Sequence, residues 1–281
     1  MSLSFMSLRG FSEFCQFLQA ETGITLEQSK HYLVSSRLNK LMAEQQLDSL
    51  IVLLDRMKSP HMNDLKQAVI EVMTTNETQW FRDHHPLKAF ADVIIPSLIK
   101  SGHHSIRIWS AACSSGQEAY STSMVIEEHR DMYRHLHLHN PSIQIVATDL
   151  SHQILQKARA GIYDKTEILR GLNEQRKKNF FTFNDGSWEL SQKIKNRVQF
   201  RQHNLLSSFS NLGQFDVIFC RNVLIYFSAE IKSDILNRMA KQLKPDGYLI
   251  LGSSETPSNY TDQFKMEKIN GTVVYRPALF S

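Results

Sequence analysis

The stretch that most narrows what this chain can fold into begins at Ser105. Ser105-Ile106-Arg107-Ile108-Trp109-Ser110-Ala111 reads as a strand, leads into a loop of small residues, Ala111-Ala112-Cys113-Ser114-Ser115-Gly116, and then into a helix from about Gln117 to His129. Ile143 to Asp149 is a second strand, and Ser151 is placed to cap the helix after it. Apolar strands alternating with helices bury both faces of a sheet, which calls for a parallel sheet covered by helices on each side. Val198–His203, Phe215–Cys220 and Tyr248–Leu251 extend that sheet. A helix capped by Ser228 spans about Ala229 to Leu243 and is ended by Pro245-Asp246-Gly247. The stretch Met266–Tyr275 turns at Asn270-Gly271, a strong hairpin signal.

Residues 1 to about 75 show no convincing strand. Phe11, Phe14, Cys15, Phe17 and Leu18, then Val34, Leu38, Leu41 and Met42, then Leu50, Leu53, Leu54 and Met57 recur at helical spacing, so a small helical bundle is expected. Thr25 with Gln28 forms a capping-box pattern for the second helix, Ser59-Pro60 stops the third, and Asn63 or Asp64 starts a fourth. Lys30, Arg37 and Lys40 fall within one arc of the second helix, beside its apolar stripe. Between Tyr163 and Val198 a basic helical stretch and a hairpin, Phe180–Phe183 turning at Asn184-Asp185-Gly186 into Ser187–Leu190, read as an inserted small β-subdomain. The expected domains are therefore residues 1–75, all-helical, and 76–281, α/β, with the insertion at about 164–197.

The 281 residues are 42% hydrophobic and 21% charged, the composition of an ordinary globular protein. A net charge of +4 without a Lys/Arg stripe gives no reason to expect nucleic acid. Cys15, Cys113 and Cys220 have no paired spacing, which fits neither a zinc knuckle nor a disulfide framework. Met1–Gly10 has no signal-peptide pattern, and no apolar run reaches the ~20 residues that span a bilayer, so a cytoplasmic protein without direct membrane insertion is expected. His135, His137 and His139 alternate without an acidic or cysteine neighbour, and no metal is expected there.

The residues with chemistry gather at strand ends, where open α/β sheets bind ligands. Asp149 ends the second strand, where a doubly wound fold uses a carboxylate to hold ribose hydroxyls; the competing reading is a strand-end turn aspartate. The loop 111–116 lets a ligand approach backbone, although it is not a G-x-G-x-x-G. Glu118, in the first turn of the next helix, is either a dipole-favoured carboxylate or one aimed at a cationic ligand end or its surroundings. Asn204-Leu205 follows the third strand and Arg221-Asn222 the fourth, with Tyr226 and Phe227 beyond as site walls or core aromatics. Asn76 and Thr78 cap a helix or serve a site; Arg82 follows Trp80 and Phe81.

Thr74-Thr75-Asn76-Glu77-Thr78, Phe81-Arg82-Asp83, Ala111–Gly116, Ala147-Thr148-Asp149, Asn204-Leu205 and Cys220-Arg221-Asn222-Val223-Leu224-Ile225-Tyr226-Phe227 together resemble the successive motifs of the CheR family, six blocks in one order. Gln117 and Ala119 depart from the family pattern, which favours Glu and Pro there. The resemblance implies a Rossmann-like S-adenosylmethionine methyltransferase sheet closed by a C-terminal antiparallel hairpin. It implies cofactor contacts from Asn76, Thr78, Arg82, Glu118, Asp149, Asn204, Leu205, Arg221 and Asn222, with Arg82 and Tyr226 at the reacting centre. The implied activity is methylation of glutamates in the cytoplasmic helices of chemoreceptors, leaving S-adenosylhomocysteine, in a chemotaxis signalling pathway. A monomer is expected. The alternatives are a receptor-binding adaptor of the same fold without turnover, and a methyltransferase for another substrate. Some members of the family bind a receptor's C-terminal pentapeptide as an added strand on the inserted subdomain. Those carry a longer hairpin loop than Asn184-Asp185-Gly186, so this chain is expected to work without it, the edge near Ser187–Leu190 being where a strand would add.

Overall fold

The computed structural model describes residues 7–136 and 141–278. The chain divides into two compact units: Met1–Thr75 with Tyr226–Ile231, and Asn76–Ile225 with Lys232–Ser281.

Among its described residues the first unit is built on four α-helices, α1 (Leu8–Thr22), α2 (His31–Glu44), α3 (Leu50–Met57) and α4 (Asn63–Met73). Their apolar stripes meet in one core that includes Phe14, Leu18, Val34, Leu38, Leu50, Leu53 and Val69. Ser7 and Ser49 cap α1 and α3 by accepting the N–H groups of Gly10 and Val52. Thr25 makes no capping box: α2 begins only at His31, after a 3-10 turn at Gln28–Lys30, without a side-chain cap. The Thr25 N–H instead donates to the Tyr226 carbonyl at 2.9 Å, and Ile24 bridges Phe227, so the segment 226–231 is fastened to this unit.

Arg37 also differs from its expected role on an exposed charged arc. Its Nη1 donates to the carbonyls of Met73 at 2.6 Å and Thr74 at 3.2 Å, and its Nη2 to Thr75 Oγ1 at 2.9 Å. A guanidinium at the end of α4 satisfies carbonyls left over when a helix stops. Lys40, by contrast, is exposed and, among the described residues, pairs with Glu44 at 3.8 Å.

Among its described residues the second unit carries ten strands: β1 (Ser105–Ala111), β2 (Ser142–Asp149), β3 (Ile162–Tyr163), β4 (Phe181–Asn184), β5 (Ser187–Leu190), β6 (Val198–Gln202), β7 (Phe215–Cys220), β8 (Leu243–Leu251), β9 (Phe264–Ile269) and β10 (Thr272–Pro277). Seven form one sheet in the order β6-β2-β1-β7-β8-β10-β9. β6, β2, β1, β7 and β8 pair in parallel, and β10 runs antiparallel to β8 and β9. β7 is buried along its whole length, the mark of a strand covered on both faces. This is the α/β sheet with a C-terminal antiparallel hairpin that the sequence pattern called for. The hairpin turns at Asn270 and Gly271, both at positive φ, as a two-residue turn between right-twisted strands requires. β8 starts earlier than expected, at Leu243, because Pro245-Asp246-Gly247 sits in a register shift opposite Phe215–Val217 rather than in a loop.

The order β3-β5-β4 defines the small second sheet, turned at Asp185-Gly186. Phe180 ends a helix, Glu174–Phe180, rather than opening a strand. β5 is the central strand of this sheet, so Ser187–Leu190 offers no free edge. Trp80 anchors the segment before the large sheet to the small one: it is fully buried, with its ring edge-on to Tyr163 at 4.8 Å and to Phe181 at 5.3 Å. Such pairs contribute about 0.5–1.5 kcal/mol beyond burial. Gly171 permits this approach, since a Cβ there would lie 2.0 Å from the Trp80 carbonyl oxygen. Among the described residues no helix is long and apolar enough to cross a membrane.

Arg37→Ala is expected to destabilise the helical unit by about 1.5–3 kcal/mol, the range for hydrogen bonds to a charged group. Lys40→Glu is expected to stay within about 0.5 kcal/mol of the parent. Denaturant unfolding followed by circular dichroism measures both; equal stability of Arg37→Ala and the parent would reject the clamp.

Candidate active site

The loop between β1 and the helix Gln117–Glu128 takes its shape from backbone that L-residues rarely adopt: Ala112 at φ 59°, Ser114 at φ 52° and Gly116 at φ 93°. Gly116 is needed twice over, because a Cβ there would meet Tyr120, Ala158 and Phe200 at 3.1–3.2 Å. Asp149, at the end of β2, fixes the loop. Its Oδ2 accepts the Ser114 N–H at 2.8 Å and its Oδ1 the Ser151 N–H at 3.0 Å. Ser114 Oγ donates to the Asn76 carbonyl at 2.8 Å, tying the segment before the sheet to the same loop.

Arg221 lies at the centre of the strand ends. Only 2% of its side chain is exposed. Nη1 donates to Glu118 Oε2 at 3.1 Å, and Nη2 to Asp83 Oδ2 and to the Arg82 carbonyl, both at 2.8 Å. Glu118 Oε1 accepts the Ser110 hydroxyl at 2.7 Å. Glu118 thus pairs with Arg221 while standing in the first turn of its helix. Phe81 and Asp83 stand at φ 51° and 52°, and Asn222 at φ 58°. Among the described residues eight non-glycine residues have positive φ, and five of them are in these loops. Strained backbone concentrated at strand ends marks a functional site.

The remaining candidates divide. Thr78 and the Arg82 side chain are half-buried beside this cluster in sequence. Asn204 Oδ1 accepts the Leu206 N–H at 2.9 Å, a local turn bond, and Leu205 is buried with its carbonyl accepting from Arg238. Tyr226 belongs to the helical unit. Two contributors were not singled out by the sequence. Asp83 pairs with Arg221, and Glu255 accepts the N–H groups of Asn222, Val223 and Gly252 at 2.7, 3.1 and 2.8 Å. The charged Asp83 directly after Arg82 was a usable signal; nothing local distinguishes Glu255. His135 is exposed, and His137 and His139 lie outside the described residues.

Cys113 and Cys220 are buried, and burial first, then nearby carboxylates, pushes both thiols well above the usual range, so they stay protonated at neutral pH. His203 is held below the usual imidazole range by burial and then by Arg238, hence neutral there too.

A nucleoside-bearing cation suits this set. The small loop admits backbone contact, the Asp149 carboxylate stands at the end of β2, and Asn222 Oδ1 and Arg221 Nε are buried without a hydrogen-bond partner among the described residues. Residues 76–273 match the family described as CheR methyltransferase, SAM binding domain, and residues 9–74 the CheR methyltransferase all-alpha domain. A chemotaxis protein methyltransferase 1 of Pseudomonas aeruginosa is 47% identical over 268 residues, covering 95% of this chain and 97% of that one. One from Vibrio cholerae serotype O1 is 45% identical over 267 residues, covering 95% and 96%, and one from Salmonella typhimurium is 34% identical, covering 94% and 88%. Fold and site thus define an S-adenosylmethionine-dependent methyltransferase. The chain belongs to the CheR family of chemotaxis methyltransferases.

Asp149→Ala is expected to weaken binding of S-adenosylhomocysteine by about 1.5–3 kcal/mol, the worth of a charge-assisted hydrogen bond. Calorimetry decides it, and unchanged affinity would remove Asp149 from the site.

Proposed function

We propose that this chain is a protein-glutamate O-methyltransferase acting on the cytoplasmic helices of chemoreceptors, in sensory adaptation. What carries this reading is the match of both its units to the two parts of one methyltransferase family, with relatives named for chemotaxis across nearly their whole length.

The chemistry asked of the side chains is modest. A glutamate titrates near 4.3, so at neutral pH it is already an anion and needs no base to become a nucleophile. The cofactor, when bound, supplies an electrophilic methyl on a cationic sulfonium. Opposite charges merge as the methyl moves, which a site poor in water favours. The work left to the protein is holding the two reactants in line, and this approximation contributes up to several kcal/mol. Neutral thiols at Cys113 and Cys220 and carboxylates occupied by hydrogen bonds at Asp149 and Glu118 suit a site that transfers no proton. Asn76, Thr78, Asp149, Asn204, Leu205, Arg221 and Asn222 are assigned to the cofactor. Glu118 is assigned to it through Arg221. Arg82 is assigned to orienting the incoming carboxylate or the cofactor, and Tyr226 to lining the transfer locus. The protein acts as a cytoplasmic monomer.

Incubating the protein with a receptor cytoplasmic fragment and S-adenosylmethionine is expected to place base-labile methyl groups on glutamates, read by peptide mass spectrometry. Cofactor binding without any methylated peptide would leave an adaptor; methyl groups on another residue or a small molecule would change the substrate class.

The tight Asp185-Gly186 turn joins β4 to β5, and β5 is paired on both sides. Calorimetry against a receptor C-terminal pentapeptide is expected to show no binding, β5 being paired and the turn beside the edge strand β4 being short. Micromolar binding that vanishes when β4 is altered would overturn this.

A further inference from the structure

Glu255 follows β8 by four residues and is 9% exposed. Its Oε2 accepts the N–H groups of Asn222 at 2.7 Å and Gly252 at 2.8 Å, and its Oε1 accepts that of Val223 at 3.1 Å. One buried carboxylate thereby joins the loops that leave two adjacent parallel strands, β7 and β8. The packing leaves no slack: a Cβ at Gly252 would lie 2.6 Å from Glu255 Oε2 and 2.9 Å from Asn222 Nδ2. Held this way, Asn222 stays at φ 58° with Oδ1 buried and, among the described residues, without a donor.

A buried amide oxygen lacking a donor is unfavourable, and in a native site it marks the place of a missing partner. The charges nearby say which kind. Arg221, next to Asn222 in the chain, gathers Glu118 and Asp83, and a third carboxylate, Glu255, holds the N–H of Asn222 itself. Such a cluster attracts a cation. We propose that Glu255 is a positioning residue of the cofactor site: it acts through Asn222, presenting Oδ1 as the acceptor for the α-ammonium group at the amino-acid end of S-adenosylmethionine. The inference rests on the cofactor of the family and not on which group accepts the methyl.

The test compares S-adenosylhomocysteine with 5′-methylthioadenosine, which lacks the amino-acid end. Calorimetry is run on the full chain as parent, Glu255→Gln, Asn222→Gly and the double variant. Glycine accepts φ 58° without strain, so Asn222→Gly removes the amide and spares the backbone. Each single variant is expected to bind S-adenosylhomocysteine about 10–100-fold more weakly. The double variant is expected to match the weaker single within about twofold, because both changes remove one interaction. Affinity for 5′-methylthioadenosine should move by less than about threefold in all variants. A Glu255→Gln that weakens both ligands alike, or multiplies the effect of Asn222→Gly, makes Glu255 merely structural and overturns the proposal; so does unchanged affinity. If Glu255→Gln unfolds in a thermal melt, Glu255→Asp, which keeps the charge and shortens the reach, replaces it in the same comparison. A parent that binds neither ligand overturns the cofactor assignment itself and this inference with it.

Discussion

A guanidinium withdrawn almost completely from water sets the terms for the strand-end loops. Burying an unpaired ion costs several kcal/mol even after relaxation, so Arg221 is tolerable only where partners meet it. Those partners come from places far apart in the chain: Asp83 and the Arg82 carbonyl before the sheet, and Glu118 at the start of the helix after β1. None of these stretches can shift alone without uncovering the charge. Asp149 does the same job one loop over, where its carboxylate holds Ser114 and Ser151 by their backbone N–H groups. The site is thus organised by carboxylates and one cation that serve the backbone first and a ligand second.

How far the sequence could foretell this follows from the range of each interaction. The parallel sheet was legible because burial of strands and amphipathic helices leaves a local periodic trace. Asp149, Glu118 and Arg221 were legible as candidates because topology puts the C-terminal ends of β1, β2 and β7 at one edge, whatever the side chains do next. The direction of Glu118 was not. Whether it faces a ligand or Arg221 depends on a contact across 103 residues. Glu255 left no trace, since its three donors are backbone groups that any residue supplies. Arg37 misled for a related reason: winding a helix reveals the arc a side chain leaves from, but a long side chain ends elsewhere, here on the carbonyls of residues 73 and 74. The edge expected at β5 failed because β3, only two residues long, was too short to show in any pattern, yet it occupies that side.

The same distinction separates the two units. The helical one is accounted for by apolar stripes, with Thr25 as a misplaced cap. The α/β one follows simple rules in its body and breaks them at its loops. Local rules fail where something other than the fold has shaped the chain.

Five non-glycine residues in left-handed backbone, Phe81, Asp83, Ala112, Ser114 and Asn222, sit in those loops. At about 1–2 kcal/mol each, less for asparagine and aspartate, their sum is comparable with the net stability of an ordinary domain. A library screened only for heat tolerance would therefore find its gains here first, by placing glycine at 112 or 114. Such winners would melt later and grip the cofactor less well, so hardening this enzyme without dulling it means working on surfaces remote from the strand ends.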